Sequence, residues 1–282
     1  MLFLKPKPDT YPPYFYKYIP FEKKKFIEDI LLHNRLYFSL PKEFKENDAY
    51  DCRAYNFVVR SRADRSALIE EEIRVKHPNF SRLERRKMLR ANMKKYQNAD
   101  SAFYKDRMES MNRIFKDGSN VSRIAILCLT DSEKRPEMWN SYIPSNQGVC
   151  IRLNGPMIVK HLWNTEISSS HINPHLNWLR NVEYVLAPVE IPWAAFFKAE
   201  PLSAGTTQLY TKLDDFSFEQ EWRFTIYECI EQSIPFPESI IEEVFVAPGT
   251  TAVQRKTIDE WNSSRNSPFK VSEAHIGALV RR

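Results

Sequence analysis

The stretch EWRFTIY, Glu221 to Tyr227, decides the fold. Read as a β-strand it alternates: Trp222, Phe224 and Ile226 share one face, and Glu221, Arg223, Thr225 and Tyr227 share the other. The first face needs a core to cover it, and the second opens with a carboxylate. Similar runs lie on both sides. RIAILCLT (123 to 130) is apolar on both faces, as a central strand should be. GVCIRL (148 to 153), VEYVLAPVEI (182 to 191), EVFVAP (243 to 248) and FKVSEAHI (269 to 276) also read as strands. Between the last two, TAVQRKTIDEWNSS (251 to 264) reads as a helix that follows Pro248 and Gly249. Near the start of the chain, EKKKFIEDILLH (22 to 33) pairs Phe26 with Ile30 and Ile27 with Leu31, and Asn34 follows as a left-handed stop. Leu36 to Ser39 then reads as a strand ended by Pro41.

Between Arg60 and Lys116 the composition changes. This span holds 16 Lys plus Arg against 8 Asp plus Glu, a net charge of +8 in a chain whose total is +5. The remainder is therefore acidic, and the positive charge is local. Ser81 and Glu84 form a capping box, in which each side chain satisfies the other's backbone N–H, so a long helix is expected to begin there. Leu89, Met93, Tyr96, Phe103, Met108, Met111 and Phe115 continue at helical spacing. The expectation is an α+β fold with a mixed central sheet: one domain over 1–282, with two basic helices inserted at about 60–117. Arg82, Arg85, Arg86 and Arg90 would let the insertion neutralise the phosphates of a nucleic acid. A solvated helical face, with its acids interleaved, explains the same run.

Several function classes are excluded. Glycine numbers only six in 282 residues, at 118, 148, 155, 205, 249 and 277, so no clustered loop exists to cradle phosphates. P-loop NTPases and dinucleotide-fingerprint dehydrogenases fall away on that ground. Neither a Gly-x-Ser-x-Gly elbow nor a His-Glu-x-x-His helix is present. His171 and His175 have a gap that suits zinc, but Pro174 breaks the helix that would align them and no third ligand lies nearby, so no metal is expected. Cys52, Cys128, Cys150 and Cys229 have no CxxC spacing and read as reduced structural thiols. The first residues, MLFLKPKPDTYPPYF, have too short an apolar run for a signal peptide, and no stretch is long enough to span a membrane. The expected compartment is the cytoplasm, with no membrane partner.

Two short patterns carry chemistry. Glu219 precedes Glu221 by two residues, and a carboxylate pair at that spacing suits a ribose hydroxyl or a developing oxocarbenium charge. An ion pair between Glu221 and Arg223 accounts for the same residues without any ligand. Trp139 and Tyr142, three residues apart, can face one groove on a helical turn and stack on a planar ligand; core packing is the commoner use of such rings.

In order along the chain, FYKYIPF (15 to 21), NRLYFSLPKEFKENDAYDCR (34 to 53), ILCLTDSEKRPEMWNSYIPSNQGVCIRL (126 to 153) and FEQEWRF (218 to 224) resemble the bacterial family called domain of unknown function 2971. The resemblance spans about three quarters of the chain. That family usually writes Asn-Asp-Pro-Phe-Asp where this chain has Asn47-Asp48-Ala49-Tyr50-Asp51. More distantly, the chain resembles ADP-ribosyltransferase folds, which implies NAD as substrate and a role as a transferase in a toxin, effector or defence component. On that resemblance Tyr16 and Tyr18 pack against nicotinamide or ribose, and Lys17 meets phosphate. Ser39 supports Glu221, Glu221 steadies charge at the anomeric carbon, and Glu219 positions an acceptor. Those enzymes present Arg or His where this chain has Lys17, which lacks a planar fork for a pyrophosphate. The competing expectation is a non-enzymatic module whose basic insertion docks a nucleic acid or an acidic protein. A nuclease holding Mg²⁺ through Asp48, Asp51 and Glu221 ranks below both.

Overall fold

The computed structural model describes residues 11–44, 51–52, 55–97, 101–116, 124–164, 178–194, 209–227 and 232–276. In chain order the strands are β1 (Tyr14–Pro20), β2 (Arg35–Tyr37), β3 (Tyr55–Val58), β4 (Ile124–Thr130), β5 (Gly148–Asn154), β6 (Trp178–Asn181), β7 (Glu183–Val185), β8 (Val189–Pro192), β9 (Thr211–Leu213), β10 (Glu221–Tyr227), β11 (Ser233–Pro235), β12 (Ile241–Val246) and β13 (Lys270–Glu273). The helices are α1 (Lys24–Leu31), α2 (Arg62–Lys76), α3 (Arg82–Lys95), α4 (Ala102–Lys116), α5 (Pro136–Tyr142), α6 (Gly155–Asn164) and α7 (Ala252–Ser263). The expected α+β class with a mixed central sheet is what forms. Two compact units divide the chain: one takes Met1–Glu43, Arg123–Val182 and Asp215–Arg282, the other Phe44–Ser122 and Glu183–Asp214.

The first unit is built on a seven-stranded sheet in the order β13-β12-β5-β1-β4-β10-β6. Every pairing is antiparallel except β12 with β13. The alternation read in EWRFTIY places its apolar residues as expected. Phe224 and Ile226 are buried and Trp222 is half-buried against the same core, which also takes Ala125, Leu127 and Leu129 of β4 and Val149, Ile151 and Leu153 of β5. Helices α1, α6 and α7 cover this face through Ile27 and Leu31, Ile158 and Leu162, and Ile258 and Trp261. Burying a side chain such as Phe224 stabilises by about 1.5–3 kcal/mol. Helix α1 stops where the sequence placed its stop, with Asn34 at φ 51°. Gly148 opens β5 because the Ile19 carbonyl and the Ile143 side chain lie where a Cβ would sit, at 2.7 and 2.8 Å.

The other unit holds the basic helices together with the Glu183–Asp214 segment. Three helices stand where two were expected. Helix α2 begins at a Ser61/Asp64 capping box, α3 begins at the expected Ser81/Glu84 box, and α3 ends with Tyr96 as its C-cap. The sequence after it, Gln-Asn-Ala-Asp-Ser (97 to 101), is rich in residues that favour caps and turns over helix interiors. Asp64 also accepts the Ala194 backbone N–H at 2.8 Å. Burial raises its carboxyl, but the hydrogen bonds from Ser61, Ala194 and Arg60 outweigh that and hold it below the usual aspartate value. The core of this unit is Phe57, Leu68, Ile69, Ile73, Tyr104 and Trp193. Asn112 of α4 serves β3 as a strand edge would, accepting from the Phe57 N–H at 2.7 Å and donating to its carbonyl at 3.1 Å. VEYVLAPVEI, expected as one strand, is two: β7 pairs with β9 and β8 with β3, both outside the central sheet. Pro188 has no N–H for a ladder, and Leu186, two residues before it, is 91% exposed.

A cleft where two central strands part

On the sheet face opposite the main core, a row of directly opposed residues runs Glu243 (β12), Arg152 (β5), Tyr16 (β1), Thr130 (β4) and Glu221 (β10). At its centre, β1 and β4 pair only through Tyr16 and Thr130. Backbone groups of a strand must find partners, and the edge of β4 that faces β1 finds three different ones. Thr130 bridges to Tyr16, and the Lys17 Nζ donates to the Cys128 carbonyl at 2.8 Å. The Ile126 N–H and carbonyl bond the Ser39 carbonyl and N–H at 2.8 and 2.9 Å. A side chain thus fills the gap where a ladder would be.

The gap opens a cleft enclosing about 320 Å³, part of it open to solvent, lined by Tyr16, Lys17, Tyr18, Cys128, Leu129, Thr130, Met138, Tyr142, Glu219 and Glu221. Five of the six site residues read from the sequence therefore line one cleft. Ser39 does not: it is an edge partner of β4 at Ile126, four residues from Thr130 along the strand, or about 13 Å at ~3.3 Å per residue. Its expected support of Glu221 is corrected by that register.

Glu219 and Glu221 are both buried. They flank Gln220, which takes the left-handed conformation at φ 42°. The Thr130 hydroxyl holds the Glu219 carbonyl at 2.6 Å, and the Tyr142 hydroxyl donates to the Glu219 carboxylate at 2.8 Å. The Glu221 carboxylate takes both prongs of the Arg223 guanidinium, Nε at 2.9 Å and Nη2 at 3.0 Å, and the arginine side chain is wholly buried. The ion pair that offered the plain explanation of EWR exists, and it fixes the Glu221 carboxylate in a dry setting.

The aromatic wall is equally fixed. Tyr18 donates to the Ser132 carbonyl at 3.0 Å and meets the Trp139 ring edge-on at 5.0 Å. Burial first, then the neighbouring Cys150, push its phenol far above the ordinary tyrosine value. Burial and the Glu133 carboxylate do the same to Tyr16. Burial likewise raises the Cys150 thiol, so both phenols and the thiol are neutral donors at neutral pH. Of the Trp139/Tyr142 pair, the tryptophan is core, its Nε1 donating to the Glu133 carbonyl at 2.8 Å, while the tyrosine belongs to the cleft. Beyond Tyr16, Arg152 lies over the Tyr14 ring at 4.8 Å and is paired to Glu243 at 2.7 Å. Burial raises the Glu243 carboxyl, and Lys270, Ser272 and Arg152 together bring it below its ordinary value.

Thr130 and Arg152 escaped the sequence reading. The only signal for Thr130 was a hydroxyl closing an apolar run. His171, His175, Asp48 and Cys229, and the side chain of Phe115, lie outside the described residues. Among the described residues no group of three or more His, Cys, Asp or Glu is placed to hold a metal, and no helix is long and apolar enough to cross a membrane. Comparison with models of known protein families, with curated proteins and with solved structures finds no match in any of the three.

Proposed function

We propose that this chain binds NAD in the cleft between β1 and β4 and transfers its ADP-ribose to an acceptor. The observation that supports the reading is the convergence of two tyrosines, a lysine and two buried carboxylates in one concavity, from segments more than 200 residues apart. The cleft is shallow and open at its mouth, where part of its roughly 320 Å³ is solvent. It would receive the nicotinamide end of the dinucleotide at its mouth and leave the adenosine half outside. Tyr16 and Tyr18 offer rings to nicotinamide, and the Lys17 ammonium, tethered at Cys128, keeps further N–H groups for a phosphate oxygen.

In the reaction the bond between the nicotinamide nitrogen and the anomeric carbon breaks. The bonding pair stays with nicotinamide, which leaves neutral, and the positive charge passes to the ribose as an oxocarbenium ion. The acceptor's nucleophile then bonds the anomeric carbon and gives up its proton. Glu219, which lines the cleft and already takes a hydroxyl there from Tyr142, is placed to bond a ribose hydroxyl and stabilise that charge. Glu221, held by Arg223, supplies fixed negative charge beside it.

The test is nicotinamide release from NAD with cell lysate as the source of acceptor, together with NAD binding by calorimetry. Glu219→Gln should keep the fold and most of the affinity and lower turnover by on the order of 10² or more. If the folded, unmodified protein neither binds nor consumes NAD, the reading is wrong.

A further inference from the structure

We propose that the exposed face of α3 is a docking surface for the sugar-phosphate backbone of a nucleic acid, read without regard to base sequence. This goes beyond the reading of the cleft and does not depend on it. Arg82, Arg86, Arg90 and Lys94 follow one another at four-residue intervals and all four are exposed. On a helix they form a single stripe about 18 Å long. Helix α3 carries seven basic residues and one acid, Glu84, whose carboxylate is committed to the Ser81 N–H at 2.7 Å in the capping box.

The neighbouring helices are built differently. Helix α2 pairs Arg74 with Glu71 at 2.7 Å and Lys76 with Glu72 at 2.5 Å, and α4 pairs Arg113 with Glu109 at 3.6 Å. Among the described residues, no acid is paired with any of the four stripe residues. Like charges four residues apart weaken a helix, so this face costs the free protein stability that a polyanion would return. Arg85, which the sequence grouped with Arg82, Arg86 and Arg90, turns away and donates to the Pro78 carbonyl at 3.0 Å; Lys94 takes its place in the stripe. Guanidinium forks match phosphate oxygens bidentately. The four side chains are cationic donors in one exposed row, the arrangement that follows a line of phosphates, and phosphate contacts position a backbone without reading its sequence.

The experiment is fluorescence anisotropy of the whole protein with a 20-base-pair DNA duplex, an RNA duplex of the same sequence, and polyglutamate of matched charge. Four phosphate contacts give a slope of log affinity against log salt of about −3.6, or about a 150-fold loss between 50 and 200 mM salt. Replacing Arg82, Arg86, Arg90 and Lys94 by Gln together should abolish that slope while circular dichroism reports unchanged helix. If the fourfold variant loses helix, the double variant Arg82→Gln with Lys94→Gln should remove about half of the slope. Preference for either duplex supports the proposal and identifies the source of the phosphate. No binding to either duplex at 50 mM salt overturns it, as does a folded variant with unchanged affinity and slope, or polyglutamate bound as tightly as the duplexes.

Discussion

Within the seven residues of β10 the two faces of the central sheet meet, and both are dry. Phe224 is 1% exposed on one side and Arg223 0% on the other. Burial alone therefore does not separate core from candidate site. On the Phe224 face the buried groups are interchangeable hydrocarbon, and packing density sets their worth. On the Arg223 face the polar groups are held by particular partners: Arg223 has Glu221, Glu219 has Tyr142 and Thr130, and the Cys128 carbonyl has Lys17. The first face specifies the fold by volume, and the second by pairing.

That contrast is broken most severely by truncation on either side. Phe224→Ala should cost about 3–5 kcal/mol through transfer and cavity terms. Glu221→Ala should cost about the same, because it leaves a guanidinium buried without its carboxylate. Only the second loss should be recoverable without restoring charge. Glu221→Leu combined with Arg223→Met, an apolar pair of similar volume, should regain most of the stability in urea unfolding, as buried ion pairs replaced by hydrocarbon commonly do. If the double swap is as unstable as Glu221→Ala, the pair is doing something other than satisfying itself.

A smaller effect sharpens the view of the β4 edge. Lys17→Met removes the donor that reaches the Cys128 carbonyl and should cost about 1 kcal/mol, the net worth of one hydrogen bond. Ser39→Ala keeps both of its backbone bonds to Ile126 and should stay within about 0.5 kcal/mol. Equal losses from the two changes, measured by denaturant midpoint, would mean that the Lys17 contact is incidental.

The sequence was most legible where one strand explains itself. In EWRFTIY the period of two assigned every described side chain to its face, and the Asn34 stop and the Ser81/Glu84 box needed only local chemistry. Legibility fell where a partner distant in sequence decides the outcome. The pattern of VEYVLAPVEI cannot say that its halves pair with β9 and β3, and nothing near Ser39 says that it meets β4 at Ile126 rather than at Thr130. The site was legible as residue types, an aromatic-flanked lysine and a Glu-x-Glu, because buried polar groups are rare enough to stand out. Its geometry was not, since the cleft exists only because β1 and β4 share a single pairing, a matter of register across more than 100 residues.

If NAD occupies that parting of the strands, it must slow exchange in the backbone around it. Amide hydrogen exchange of the whole protein, with and without saturating NAD, tests this most directly. Slowed exchange should concentrate in β1, the end of β4, α5 and residues 217–221, and leave α2, α3 and α4 unchanged. Exchange that is unaltered everywhere, or protection confined to the basic helices, would contradict the assignment of the cleft as the NAD site.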